Sequence, residues 1–400
     1  MGAKRRKERM ILKNATLHIG NGEVLQGDMR IVGGKIVEVG KELSGDESHD
    51  LSGKHIFPGF IDSGNFLGAQ DMAYFAKDYN ENSDPITPYL DIWYSIDPDE
   101  LGLQEFYKAG ITSMLVTPGN EGILGGTCTV VKTKGKNVNK ITIKRDAAMK
   151  ASMTSEVLRA FQGKGGMSAA EYPGYRASLI SGTSSYRGGP KTPMAMVVML
   201  KTALQTTEYP DDYRGRRTKE VMDAVREGRM PLLVACETAP EIERFLEATK
   251  DYPKMKVIFT LSYEADRCAD AIKDRGAAVV LGDTSRNSIH LAHHMNFEKL
   301  MDMAEKGTKF GLTVLGPNMS WGREMLFWNA SKLMQTCINS ERIVSMLTSD
   351  PAELFGVSDR IGQLKAGLDA DYLIYDGNPI EKCNAVLLET VIGGETVYQA

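Results

Sequence analysis

Short apolar runs recur through the middle of the chain, separated by stretches of helix length. Ile111 to Val116, Cys128 to Lys132, Leu232 to Cys236, Val257 to Leu261, Ala277 to Leu281 and Leu312 to Leu315 have the length and apolar content of buried strands. Pro98 to Lys108, Pro193 to Thr206, Ala239 to Lys250 and Ala265 to Arg275 carry apolar residues at helical spacing. This alternation predicts an α/β architecture, and on pattern alone a closed barrel and a doubly wound sheet fit it equally well.

The two ends are patterned differently. Ile11 to Leu17, Asp28 to Val32 and Lys35 to Val39 read as short strands punctuated by glycine turns. At the other end Tyr372 to Tyr375 reads as a strand and Val391 to Tyr398 as a hairpin turning at Gly393-Gly394. Neither end has enough chain for its own core, so together they predict one small discontinuous sheet domain. Lys54 to Gly68 joins this domain to the alternating region. Its apolar run, broken by Pro58 and Gly59 and followed by Ser63, Gly64 and Asn65, predicts a buried strand opening into a loop. Gly163 to Pro190, rich in Gly, Ser, Tyr and Pro, predicts a long loop.

Two stretches carry a family resemblance. Pro58-Gly59-Phe60-Ile61-Asp62 resembles the start of the catalytic barrel in the metal-dependent amidohydrolase superfamily, nearest its imidazolonepropionase-like branch. Gly362 to Asp371 resembles that family's return into its terminal β-sandwich. The resemblance implies a TIM-like (β/α)8 barrel over residues 57–360, inserted in a β-sandwich formed by 1–56 and 361–400. It also implies a homo-oligomer.

The family's metal ligands are His-X-His at the first strand, a carboxylate or modified lysine midway, a histidine at each of the fifth and sixth strands and an aspartate at the eighth. By resemblance the corresponding positions here hold Gly64, Phe66, Ala235, Leu261 and Asn318, apart from the midway one. None of these five supplies an imidazole or a carboxylate. The expectation is therefore a chain that has lost metal-dependent hydrolysis of C–N bonds, holds no cofactor, and takes a small ligand at the barrel mouth. Two alternatives stand beside it: an active amidohydrolase on a small cyclic amide using carboxylates or a relocated metal, and a structural scaffold.

The remaining chemistry is sparse. Asp62, Glu237 and Glu264 fall near predicted strand ends and are the candidate acid-base groups, although Asp62 equally suits a loop-holding role. Asn65, Asn120, Cys236, Tyr263 and Asn318 are candidate ligand contacts; the glycine-rich Gly119 to Gly126, running on to Gly135, resembles a loop of the same family branch, and that resemblance implies Lys132 as a candidate anion contact. Cys236 has no histidine predicted nearby, so an inert thiol outweighs a nucleophile. Of six histidines, His290, His293 and His294 cluster; His290 and His294 would share a helix face, without the glutamate of a His-Glu-X-X-His site.

Composition narrows the partners. A net charge of −4 with 25% charged residues gives no general case for nucleic acid or an anionic membrane, and Lys4-Arg5-Arg6-Lys7 reads as a solvated tail. No run of eighteen apolar residues and no leader pattern occurs, so the expected location is cytoplasmic. Five scattered cysteines suggest neither a disulfide framework nor a zinc knuckle.

Overall fold

The computed structural model describes residues 9–45, 47–70, 77–161, 189–282, 295–315, 324–336, 339–382 and 384–400. Two eight-stranded sheets organise them. The first is built from both ends of the chain: β1 (Arg9–His18), β2 (Val24–Val32), β3 (Lys35–Gly40), β4 (Glu47–Asp50) and β5 (His55–Pro58), with β14 (Tyr372–Tyr375), β15 (Leu387–Ile392) and β16 (Glu395–Gln399). Its order is β16-β15-β14-β5-β1-β2-β3, with β4 on β1. The antiparallel pairing of Tyr372 with Pro58 and Tyr375 with His55 stitches the two ends together. Leu17, Met29, Ile56 and Tyr372 bury the inner face.

The second sheet comprises β6 (Phe60–Asn65), β7 (Ile111–Val116), β8 (Leu124–Lys132), β9 (Thr142–Ser152), β10 (Leu232–Ala235), β11 (Val257–Thr260), β12 (Ala278–Leu281) and β13 (Phe310–Leu312), hydrogen-bonded in chain order. It curls into a nearly closed barrel whose interior is filled by Ile61, Leu115, Cys128, Ala148, Leu233, Ile258 and Val280. Helices such as Pro193–Gln205, Ala239–Thr249 and Phe297–Glu305 follow the later strands. Where sequence predicted helices at Pro193 to Thr206 and Ala239 to Lys250, the ends agree to a residue.

One strand departs from a strict (β/α)8 repeat. β8 runs antiparallel to both β7 and β9. The link between β7 and β8, Thr117 to Ile123, is too short for the helical crossover that parallel neighbours require, so a hairpin is the geometry left.

Gly59 marks the passage between the sheets. Its N–H donates to Asp371 O at 2.9 Å in the terminal sheet, and β6 begins at the next residue. A Cβ there would lie 2.0 Å from Thr112 Oγ1, so only glycine lets the first strand approach β7 this closely. The open edges of the barrel, β6 and β13, meet through Asp62. Its carboxylate accepts from Thr313 Oγ1 (2.9 Å), Val314 N (2.9 Å) and Gly64 N (3.0 Å), and the side chain is fully buried.

The barrel is tied to the terminal sheet by charge. Lys132 Nζ, at the end of β8, pairs at 2.9 Å with Asp369 and at 2.9 Å with Asp371; Lys35 and Arg360 add to Asp369. A second tie runs from β1 to helix Ser340–Leu347: His18 Nδ1 lies 2.7 Å from Glu341 Oε1, while His18 Nε2 lies 2.9 Å from His55 Nδ1. No helix among the described residues is long and apolar enough to cross a membrane.

Candidate functional site

A cavity of about 360 Å³ opens at the C-terminal ends of the barrel strands. In a barrel this is the end where loops are free to carry chemistry. Phe66, just past β6, and Leu261, just past β11, form part of its wall, together with Leu315, which follows β13. Gly119, Asn120 and Glu121 come from the β7–β8 hairpin, and Glu156, Arg159 and Ala160 from helix Ser155–Phe161 after β9. Lys77, Tyr79 and Asn80 complete the wall, with the Phe66 ring stacked on Tyr79 at 4.0 Å between centroids.

Two of these walls stand where the resemblance expects histidines. Ala235, Leu261 and Tyr263 form a small apolar cluster, with Met295 and Leu315 packed on it. Leu261 also has φ of +55°, a left-handed conformation that costs a leucine about 1–2 kcal/mol. Its side chain is only 2% exposed. Leu261→Gly, which removes both the buried side chain and the strain, should therefore be no more destabilising than Leu261→Ala. That reverses the usual strand order, in which glycine is worse than alanine by about 0.5–1 kcal/mol. Denaturant unfolding of the two variants reads it directly.

The polar groups divide into committed and uncommitted sets. Glu121 is held by Asn80 Nδ2 (3.0 Å) and Asn82 Nδ2 (2.9 Å), with Lys77 Nζ at 3.6 Å. Burial, then the charges of Glu121 and Glu156, push the Tyr79 phenol up to about 12. Glu156 and Arg159, on one short helix, form no ion pair with each other or with another described residue.

Behind Asn120 lies the least expected group. Lys150, on the fourth barrel strand β9, is 3% exposed and points into the barrel beside Leu233 and Cys128. Its Nζ donates to Asn120 Oδ1 at 2.5 Å and to Ala151 O at 3.2 Å, and no carboxylate among the described residues pairs with it. Burial lowers its pKa to about 8, against the opposing influence of Cys128, Glu156 and Cys236. Sequence reading misses it because Thr142–Ser152, with Lys144, Arg145, Asp146 and Lys150, lacks the continuous apolar run of a buried strand. The signal that could have found it is the midway position of the resemblance, where the family places a carboxylate or a modified lysine.

The other sequence candidates separate. Asp62 sits at the barrel seam, its pKa raised by burial although the Val314, Gly64 and Thr313 hydrogen bonds oppose this. Glu264 Oε2 accepts from Ala239 N at 2.8 Å and Arg267 Nη1 at 3.1 Å, holding the start of a helix. Glu237 lies past β10, its backbone N–H bonded to Glu241 Oε2. Cys236 is fully buried and burial raises its thiol well above the usual range, so it is not a thiolate nucleophile. Asn65 Oδ1 is occupied by Leu67 N at 2.8 Å. Lys132, expected as an anion contact, instead pairs with Asp369 and Asp371, because the reversed β8 carries its end away from the mouth. Asn120 does line the cavity and Tyr263 packs behind it. Asn318, the His290, His293 and His294 cluster and most of the Gly163 to Pro190 loop lie outside the described residues. Among those residues, no group of three His, Cys, Asp or Glu side chains could hold a metal ion.

A barrel with its site at the strand ends and a sheet built from both termini is the amidohydrolase fold. Residues 315–398 match the model of an amidohydrolase family. The chain is 22% identical to amidohydrolase tasK of Hapsidospora irregularis over 88% of its own length and 38% of the relative's. It is 27% identical to an allantoinase of Enterococcus faecalis (strain ATCC 700802 / V583) over 34% of its length and 26% of the relative's. It thus spans well under two thirds of both. An amidohydrolase structure from Thermotoga maritima MSB8 superposes with a TM-score of 0.82 at 22% identity, covering 98% of this chain and all of that one. The chain is thus similar to amidohydrolases in sequence over residues 315–398 and in fold over nearly its whole length.

Proposed function

We propose that the protein is a metal-free member of the superfamily, in its imidazolonepropionase-like branch, that binds a small organic ligand at the barrel mouth and no longer carries out metal-dependent hydrolysis. The observation that carries this reading is the wall of the cavity itself. Phe66 and Leu261 occupy ligand positions of the resemblance as apolar side chains facing an open space large enough for a small molecule. Two of the sequence's candidate acid-base groups, Asp62 and Glu264, are engaged in holding the barrel seam and a helix start, and of the carboxylates on the cavity wall Glu121 is held by Asn80 and Asn82.

Elemental analysis of the full chain, purified without chelators and then incubated with Zn²⁺ or Mn²⁺, tests the reading. Only trace metal is expected before and after. One or two tightly held ions per chain would overturn it and direct attention to His290, His293 and His294.

A further inference from the structure

The anomaly of the mouth is a buried amine to which no carboxylate among the described residues is paired. A buried ammonium ordinarily has a carboxylate beside it, because desolvation makes an unpaired charge costly. Lys150 has instead a neutral amide, Asn120 Oδ1, and a backbone carbonyl. This environment enlarges the unprotonated fraction, in keeping with a pKa lowered by burial to about 8. A neutral amine held among apolar side chains is a nucleophile toward carbonyl carbon. Asn120 links Nζ to the cavity, since it both lines the cavity and accepts from Lys150.

The cavity also supplies what a particular carbonyl compound would need. Arg159, which pairs with no described carboxylate, is a cation on its wall suited to a carboxylate ligand. Glu156 is a carboxylate on the same helix turn, and its charge reaches Lys150. Phe66, Leu261 and Leu315 give an apolar side for a short carbon chain.

We infer that Lys150 forms a reversible imine with a small 2-oxo acid bound at the barrel mouth, the acid's carboxylate on Arg159 and its carbonyl carbon taking the place of the Asn120 contact. The inference rests on the reading of the mouth as a ligand site. The nitrogen lone pair of Lys150 adds to the carbonyl carbon, and the nitrogen proton passes to the former carbonyl oxygen, giving a carbinolamine. Glu156 relays a proton from solvent to that hydroxyl. The C–O bond breaks, water leaves, and the remaining nitrogen proton is lost as C=N forms, which returns a proton through Glu156.

Reductive trapping tests it. The native protein is incubated with glyoxylate or pyruvate and sodium borohydride, then digested and mapped by mass spectrometry, with propanal as a neutral carbonyl and Lys299 as an exposed reference lysine. The expected product is a stable adduct on the Lys150 peptide, heavier by the oxo acid less one oxygen atom, in clear excess over Lys299. Lys150→Arg should abolish it, Arg159→Met should reduce glyoxylate trapping while sparing propanal, and Asn120→Ala should speed both. Ala160→Trp, which narrows the cavity, should suppress labelling.

Labelling confined to exposed lysines in the native protein would overturn the inference, and this needs no variant. A carbamate on Lys150, seen with ¹³C-bicarbonate in place of an adduct, would overturn it too, as would labelling indifferent to Ala160→Trp. If the protein is metal-free and Lys150 stays unlabelled, the imine fails while the ligand-site reading stands. Stoichiometric metal removes the reading as well.

Discussion

Asp62→Ala should lower the unfolding free energy by about 3–4 kcal/mol, because it leaves the N–H groups of Gly64 and Val314 and the Thr313 hydroxyl without their buried acceptor. The loss falls at the one place where the barrel sheet is not continued by a ladder, between β6 and β13. Gly311 shows how tight that seam is: a Cβ there would stand 2.3 Å from Ser63 Oγ. A pH series sharpens the test. Asp62 has its pKa raised by burial, so its contribution is complete below the ordinary carboxylate range and is lost as pH rises through the raised value. The deficit of Asp62→Ala should therefore be largest in acid and narrow toward neutrality. A deficit that grows with pH would mean that an ionised Asp62 is what holds the seam. Asp62→Asn should fall between the wild type and alanine, since one amide oxygen can still accept while the NH₂ faces a donor.

Lys132→Met should be of similar or greater size, about 3–5 kcal/mol at neutral pH, because it strands two buried carboxylates. Asp369 retains Lys35 and Arg360, whereas Asp371 retains only the Gly393 N–H at 2.7 Å. Burial already raises the Asp371 pKa against the pull of Lys132, and without that lysine it rises further. A group with a raised folded pKa stabilises below the usual carboxylate range and loses that contribution as pH rises, so the variant should regain stability on mild acidification. Asp369 behaves oppositely in the wild type. Asp369 is buried, which alone would raise its pKa, yet Arg360, Lys35 and Lys132 hold it well below the ordinary range. Its stabilisation is present at neutral pH and lost as pH falls through the depressed value. Adding Asp371→Asn to Lys132→Met should restore most of the loss; simple addition of two penalties would show that the residues do not act as a pair.

Strand positions were legible where burial is two-sided, because a short uninterrupted apolar run between turn residues suits a strand covered on both faces. Tyr372 to Tyr375, Ile111 to Val116 and Val257 to Leu261 are of this kind, and the structure places strands there within a residue. Direction was not legible. Cys128 to Lys132 reads the same whether β8 runs with or against its neighbours, and that single reversal decides whether Lys132 faces the mouth or the terminal sheet. The same limit governed the site. Phe66 and Leu261 could be placed from the motif beside them, whereas Asn120, Lys150, Glu156 and Arg159 become neighbours only when a hairpin, a strand and a short helix fold together. Asp62 was legible in its structural role because a carboxylate after a buried strand and before a Ser-Gly-Asn turn has backbone N–H groups close at hand.

The pairing of β5 with β14 bears on the order in which the molecule can assemble. His55 to Pro58 must wait for Tyr372 to Tyr375, which follow the whole barrel in sequence, so this side of the terminal sheet cannot form until synthesis has passed β14. Until then the edge of β5 presents unpaired backbone groups, and the hairpin of β1 and β2 stands beside it. A nascent chain halted before β14 would thus expose a sticky sheet edge next to a barrel already able to close, and the terminal sheet becomes the step at which synthesis and folding are coupled.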